Sequence, residues 1–220
     1  MQLHKVTNDE SVVTYLAGVL RQKLGEGKVL WLVPGGSAIA VAVAVSQRLQ
    51  DANLANLTVT LTDERFGPVG HADSNWQQLQ DAGFSLPGAS AVPVLHGHDR
   101  DQTTSEYAQH LQEFCQGAAY CVGLFGIGPD GHTAGIIPGS PAVTATEWAA
   151  SFDNGDYQRV TMTAPAIAAL SEAVVYAMGE AKLPQLERLQ QDLPITDQPA
   201  QALKKVPKLT IFNDQTGDTV

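Results

Sequence analysis

Positive charge is scarce in this sequence: 13 Lys and Arg stand against 23 Asp and Glu, a formal net charge of −10 over 220 residues. Nucleic acids and anionic membranes are bound through concentrated Lys and Arg, so neither is expected as a partner. Cysteine is scarcer still. Cys115 and Cys121 are the only two and lack a CxxC spacing. That argues against a thiolate metal site and points to a reducing, cytoplasmic setting, with both thiols packed as small apolar groups. No apolar run has the length of a membrane span; the nearest, Val29 to Val45, is interrupted by Pro34-Gly-Gly-Ser37. The opening residues, Met1 to Glu10, lack the apolar core of a secretory leader. A Walker loop, a GxGxxG fingerprint and a GxSxG nucleophile elbow are all missing. His96-Gly-His98 has no third and fourth ligand at a familiar spacing, so no metal is expected.

What is present reads as a globular chain, 44% apolar and 16% charged, long enough for a substantial core. A single domain over 1–220 is the expectation. Short runs apolar on both faces predict buried strands: Val29 to Val33, Leu57 to Leu61, Tyr120 to Phe125, Ala173 to Met178 and Lys208 to Phe212. Arg159-Val-Thr-Met-Thr163 alternates and predicts a strand nearer an edge. Helical spacing lies between them, over Asp9 to Lys23 (capped by Asn8 or Asp9), Ser37 to Leu49, Ser74 to Gln80, Thr103 to Phe114 and Glu180 to Leu189. The alternation predicts an α/β fold: a three-layer, Rossmann-like domain with a mainly parallel sheet flanked by helices. Such folds carry their chemistry in the loops after the strands.

Three loops fit that rule. Pro34-Gly35-Gly36-Ser37 follows a buried run and opens a helix, a place where backbone N–H groups can approach an anion, although a tight turn alone would look the same. Thr62-Asp63-Glu64-Arg65, followed by Ser74-Asn75, offers Arg65 to an anionic group, with Asp63 or Glu64 fixing polar neighbours; a solvated turn with local ion pairs is the other reading. Gly126-Ile-Gly128-Pro-Asp130-Gly131-His132 needs an unusual backbone path. Its spacing brings a carboxylate beside an imidazole, which fixes the tautomer and leaves the far nitrogen free to take a proton.

These residues resemble the 6-phosphogluconolactonase family from near residue 9 to near residue 214. The family's GGSTP loop is similar to Gly35-Gly-Ser-Ala-Ile39, its DER…SN element to Asp63-Glu-Arg65 and Ser74-Asn75, and its GxGxDGHTASLFPG element to Gly126 through Gly139. Its R-[IV]-T-x-T strand is similar to Arg159-Val-Thr-Met-Thr163, and its GxxK to Gly179-Glu-Ala-Lys182. The resemblance implies hydrolysis of 6-phospho-D-glucono-1,5-lactone in the oxidative pentose-phosphate pathway, with no cofactor and a monomeric state. It implies His132 as general base oriented by Asp130, and Arg65, Lys182 and Arg159 as phosphate contacts beside Gly35, Gly36 and Ser37. Asp63, Glu64, Asn75, Gly126, Gly128 and Gly131 fall to supporting roles.

This chain departs from the pattern at Ala38 and Ile39, in place of Thr-Pro, and at Gly135, Ile136 and Ile137, in place of Ser-Leu-Phe. Two alternatives stand beside lactone hydrolysis. Glucosamine-6-phosphate deaminases share the Asp-Gly-His loop but carry DEY and an additional Glu, where this chain has Arg65 and Ile137. A non-catalytic sugar-phosphate-binding regulator would keep the cradle and not need the base.

Overall fold

The computed structural model describes residues 1–219; Val220, the last residue of the expected single domain, lies outside the described residues. The first half of the chain builds β1 (Gln2–Lys5), α1 (Glu10–Glu26), β2 (Val29–Val33), α2 (Ile39–Arg48), β3 (Leu57–Leu61), β4 (Asp63–Arg65), α3 (Asn75–Asp81), β5 (Ser90–Ala91) and α4 (Arg100–Gly117). The second half builds β6 (Tyr120–Phe125), β7 (Ala149–Asp153), β8 (Gln158–Met162), α5 (Ala164–Ala168), β9 (Glu172–Ala177), α6 (Leu183–Leu189), β10 (Lys208–Asn213) and β11 (Asp218–Thr219).

Eight strands form one sheet in the order β11-β1-β10-β9-β6-β2-β3-β5, and every pairing in it is parallel. Helices flank it, as the double-sided apolar strands require. All five residues of β2 are buried, and Trp31 and Phe125 are the largest side chains shut completely from solvent. Each such side chain contributes roughly 1.5–3 kcal/mol on burial, more for the largest rings. The five strands read from sequence are all present, within one residue at either end.

The helices match in place and differ at their ends for local reasons. Ser74 caps α3 by accepting the Gln77 N–H at 3.1 Å. In α4 the chain starts earlier than the apolar spacing predicts, because Asp99 accepts the Gln102 N–H at 2.9 Å and fixes the first turn at Arg100. Asp9 precedes α1 with no side-chain cap; Asn8 accepts the Glu10 N–H instead, at 3.0 Å.

Two expectations need correction. The segment Asp63–Arg65 is not a loop but the short strand β4, and Arg159 does not sit near an edge of the main sheet. The strands β4, β8 and β7 form a separate antiparallel sheet with β8 at its centre. The main sheet hands over directly: Thr62 N–H still bonds to Val33 O at 2.9 Å, and the chain then pairs with β8 from Asp63 onward. This second sheet brings Arg159 to the carboxyl ends of the parallel strands.

The opposite end of the main sheet holds a buried acid. Glu172, at the start of β9 and fully buried, accepts from Tyr15 Oη at 2.5 Å and Tyr120 Oη at 2.6 Å, with Lys208 Nζ at 3.2 Å. Three partners satisfy a carboxylate that burial alone would make costly.

Candidate active site

Four adjacent parallel strands, β9, β6, β2 and β3, end at one cleft. Their following segments supply Lys182, the Gly126–His132 loop, the Gly35-Gly36-Ser37 loop and Asp63, and β4 and β8 add Arg65 and Arg159. Asn75 also lines it. Glu64, Asp130 and Gly131 do not line it, but each is next in sequence to a residue that does. The cleft therefore gathers nearly every residue singled out from sequence, from segments more than a hundred residues apart.

The acid–imidazole pair is formed. Asp130 Oδ1 is 2.6 Å from His132 Nδ1 and also accepts the His132 backbone N–H at 3.1 Å. Burial pushes the Asp130 carboxyl up, but the His132 backbone N–H, charge and ring together outweigh it and hold the group below the ordinary aspartate value. An ionised carboxylate only accepts, so Nδ1 carries the shared proton, and in the neutral imidazole Nε2 is then the acceptor.

Gly128 makes this geometry possible: a Cβ there would lie 2.1 Å from His132 Nδ1 and 2.7 Å from Asp130 Oδ1. The loop is braced from below by three buried glutamines. Gln185 Nε2 donates to Pro129 O at 2.9 Å, Gln198 Nε2 to Gln185 O at 2.8 Å, and Gln201 Nε2 to Gln198 Oε1 at 2.8 Å. No pattern in the sequence marks these glutamines as site residues, since their partners are mainly backbone atoms and one another.

The glycine loop is shaped by Asn75. A Cβ on Gly35 would fall 2.1 Å from Asn75 Oδ1, while Asn75 Nδ2 donates to Asp63 O at 2.9 Å. Asn75 is thus bonded to the exit of β3 and packs closely against the turn before α2. Ala38, one of the departures, is 1% exposed and part of the core, so its methyl packs inward rather than toward the cleft.

Glu64 is a structural acid. Fully buried, it accepts from Arg65 N (2.7 Å), Asn75 N (2.6 Å), Ser74 Oγ (2.9 Å) and Trp76 N (3.2 Å). Burial pushes its carboxyl above the usual glutamate value, against the pull of these donors. The effect is to clamp β4 to the start of α3 and so to set where Arg65 begins.

The cations line the wall made by the second sheet and the segment after β9. Arg159 Nη1 is 3.3 Å from Asp63 Oδ2, and Arg65 Nη1 is 3.2 Å from Asp73 O. The Nε atoms of both arginines are buried and unpartnered among the described residues, as is Asn75 Oδ1. Buried donors of this kind are costly unless a ligand completes them. Lys182 follows β9 in a 3-10 turn, Glu180–Lys182, and forms no ion pair among the described residues. Burial pushes its ammonium below the usual lysine value, opposed in part by the charge of Asp130.

Gly135 is where a departure matters most. With Ala134 (φ 49°) and Gly135 (φ 72°) the chain turns back so that Ile136 N bonds Thr133 O at 2.8 Å. A side chain at 135 would meet Asp63 Oδ2 at 2.7 Å. Glycine leaves Asp63 free to hold Arg159.

Comparison with known proteins places the chain. Residues 7–211 match the family model for glucosamine-6-phosphate isomerases/6-phosphogluconolactonase. A 6-phosphogluconolactonase from Pseudomonas aeruginosa is 32% identical over 76% of this chain and 74% of its own length. The solved structure of a 6-phosphogluconolactonase from Shewanella baltica superposes with a TM-score of 0.83 at 19% identity, covering 97% of each chain. A monomeric glucosamine-6-phosphate deaminase superposes at 0.81 with 18% identity over 98% of each chain, so the fold is common to both activities. The chain belongs to the 6-phosphogluconolactonase family within the glucosamine-6-phosphate isomerase/6-phosphogluconolactonase group.

Proposed function

We propose that this chain hydrolyses 6-phospho-D-glucono-1,5-lactone to 6-phosphogluconate, the lactone step of the oxidative pentose-phosphate pathway. The observation that carries the reading is the Asp130–His132 pair, 2.6 Å apart, in a cleft that also holds Arg65, Arg159 and Lys182. A sugar phosphate places its dianion on the cations, and charge-assisted contacts there supply binding energy remote from the reacting carbon. His132 Nε2 takes a proton from water as the water oxygen bonds to the lactone carbonyl carbon. Collapse of the tetrahedral intermediate breaks the bond to the ring oxygen, which receives that proton from His132. Backbone N–H groups of the glycine loops are suited to receive the transient oxyanion.

The deaminase reading is weaker on this site. Ring opening and proton shuttling call for carboxylates free to work, and among the described cleft-lining residues the acid is Asp63, already paired with Arg159. A pure binder would have no use for a positioned imidazole. No helix among the described residues is long and apolar enough to cross a membrane, which accords with a protein acting in the cytoplasm. We take it to act as a monomer on a small phosphorylated lactone, with 1–220 as one working unit and no nucleic-acid partner. The test is hydrolysis of freshly generated lactone above its spontaneous rate, alongside ammonia release from glucosamine 6-phosphate. Acceleration of the first without the second is expected; the reverse would replace this reading with the deaminase.

A further inference from the structure

Arg65 and Arg159 stand directly opposite each other in the antiparallel ladder of β4 and β8. Like charges in that relation repel. Asp63 compensates one of them, 3.3 Å from Arg159, whereas Arg65 has a main-chain carbonyl, Asp73 O, at 3.2 Å. A further group touches both. The ring centroid of Tyr157 is 4.6 Å from Arg65 Cζ and 5.7 Å from Arg159 Cζ.

The ladder explains why. Tyr157 lies two residues before Arg159, and the two-residue period of extended chain puts both on one face. Beyond the Arg65–Arg159 pair, Phe66 N–H bonds Gln158 O at 2.6 Å, so the next position opposite Tyr157 is Gly67. The space a side chain would take at Gly67 is filled by the His71 ring, whose Nε2 would lie 2.9 Å from a Cβ there. The main chain at Tyr157 is held independently of the arginines, because Tyr157 N–H donates to Asn154 Oδ1 at 3.0 Å and Asn154 N–H to Tyr157 O at 3.2 Å, closing the turn between β7 and β8.

We infer that Tyr157 is a positioning residue: its π face holds the two guanidinium groups side by side, so that substrate phosphate meets them as a preformed pair. The inference rests on the reading of Arg65 and Arg159 as phosphate ligands. A cation over an aromatic face is attracted by the ring quadrupole, the more so when partly desolvated. The face makes the contact, so the hydroxyl is dispensable.

Tyr157→Ala is expected to raise KM for the phosphorylated lactone, and the Kd of inorganic phosphate measured by calorimetry, roughly tenfold. Turnover should stay within about twofold. Tyr157→Phe should keep both affinities. Tyr157→Leu, which retains apolar bulk without the quadrupole, should follow Ala. Hydrolysis of unphosphorylated glucono-1,5-lactone should be the same in all of them, a readout that general loosening of the fold would not spare. An Ala variant with wild-type KM and phosphate affinity overturns the inference, as does a Leu variant that keeps both. Weakened phosphate binding in Tyr157→Ala, in a protein that proves not to hydrolyse the lactone, supports the role of Tyr157 while removing the proposed reaction.

Discussion

One oxygen of Asp130 holds two parts of His132: Oδ1 lies 2.6 Å from the ring Nδ1 and 3.1 Å from the backbone nitrogen. The carboxylate therefore fixes ring orientation, tautomer and main-chain path at once.

Replacing Asp130 by Asn keeps the size but removes the charge, and lets the ring adopt the other tautomer. Turnover is expected to fall roughly 10²-fold or more with KM nearly unchanged, as when the orienting acid of a catalytic histidine is neutralised. Steady-state kinetics of Asp130→Asn checks this. A depressed carboxyl stabilises the fold above the ordinary aspartate range and loses that contribution as pH falls through the depressed value. Asp130 is half exposed, so its weight in stability is small and the loss should appear in turnover, not in Tm.

Lys182 carries a different pH signature. Its ammonium is held below the usual lysine value by burial, with the charge of Asp130 opposing. As pH rises, Lys182 should lose its proton before an ordinary lysine would, and KM for the phosphorylated lactone should climb with it. Arginine keeps its charge throughout, so Lys182→Arg should flatten this rise. In Asp130→Asn the opposing charge is gone, and the climb should begin at lower pH. KM measured from neutral to alkaline pH, with spontaneous hydrolysis subtracted, decides the point.

Glu172 offers a control at the far end of the sheet. Glu172→Ala strands two tyrosine hydroxyls and Lys208, and the loss of a buried acceptor costs roughly 1–3 kcal/mol. For a chain of this size that is a drop of about 2–10 °C in Tm. KM and kcat at a temperature where the variant stays folded should match wild type. A variant with unchanged Tm would show that the cluster is not a stabilising one.

The parallel sheet was legible because its strands are buried on both faces: Val29-Leu-Trp-Leu-Val33 admits no other placement in a domain this size. One flank was not. β11, Asp218–Thr219, at the edge, and β1, Gln2–Lys5, between it and β10, are short and partly exposed, and they pair through backbone atoms with strands distant in sequence. The second sheet is hidden in the sequence for a related reason. Asp63-Glu-Arg65 is polar and follows a strand, so it resembles a loop until Arg159 and its neighbours, far along the chain, supply the ladder.

The cleft itself was readable from glycines, acids and cations in loops after strands. What escaped was the layer behind it. Tyr157 carries one usable signal, its two-residue offset from Arg159, but Gln185, Gln198 and Gln201 carry none, because a glutamine bonded to main-chain oxygen looks like any surface glutamine until the fold is known. Gly135 read as a departure from the family pattern; its positive φ and its contact with Asp63 give it a reason.

The central claim is that His132 Nε2 activates water, and the turnover of His132→Ala tests it most directly. Replacement of a general base is expected to lower kcat roughly 10²–10⁴-fold while KM for the phosphorylated lactone stays close to wild type, since the cations that hold the phosphate are untouched. A folded His132→Ala protein that hydrolyses the lactone at the wild-type rate would contradict the account.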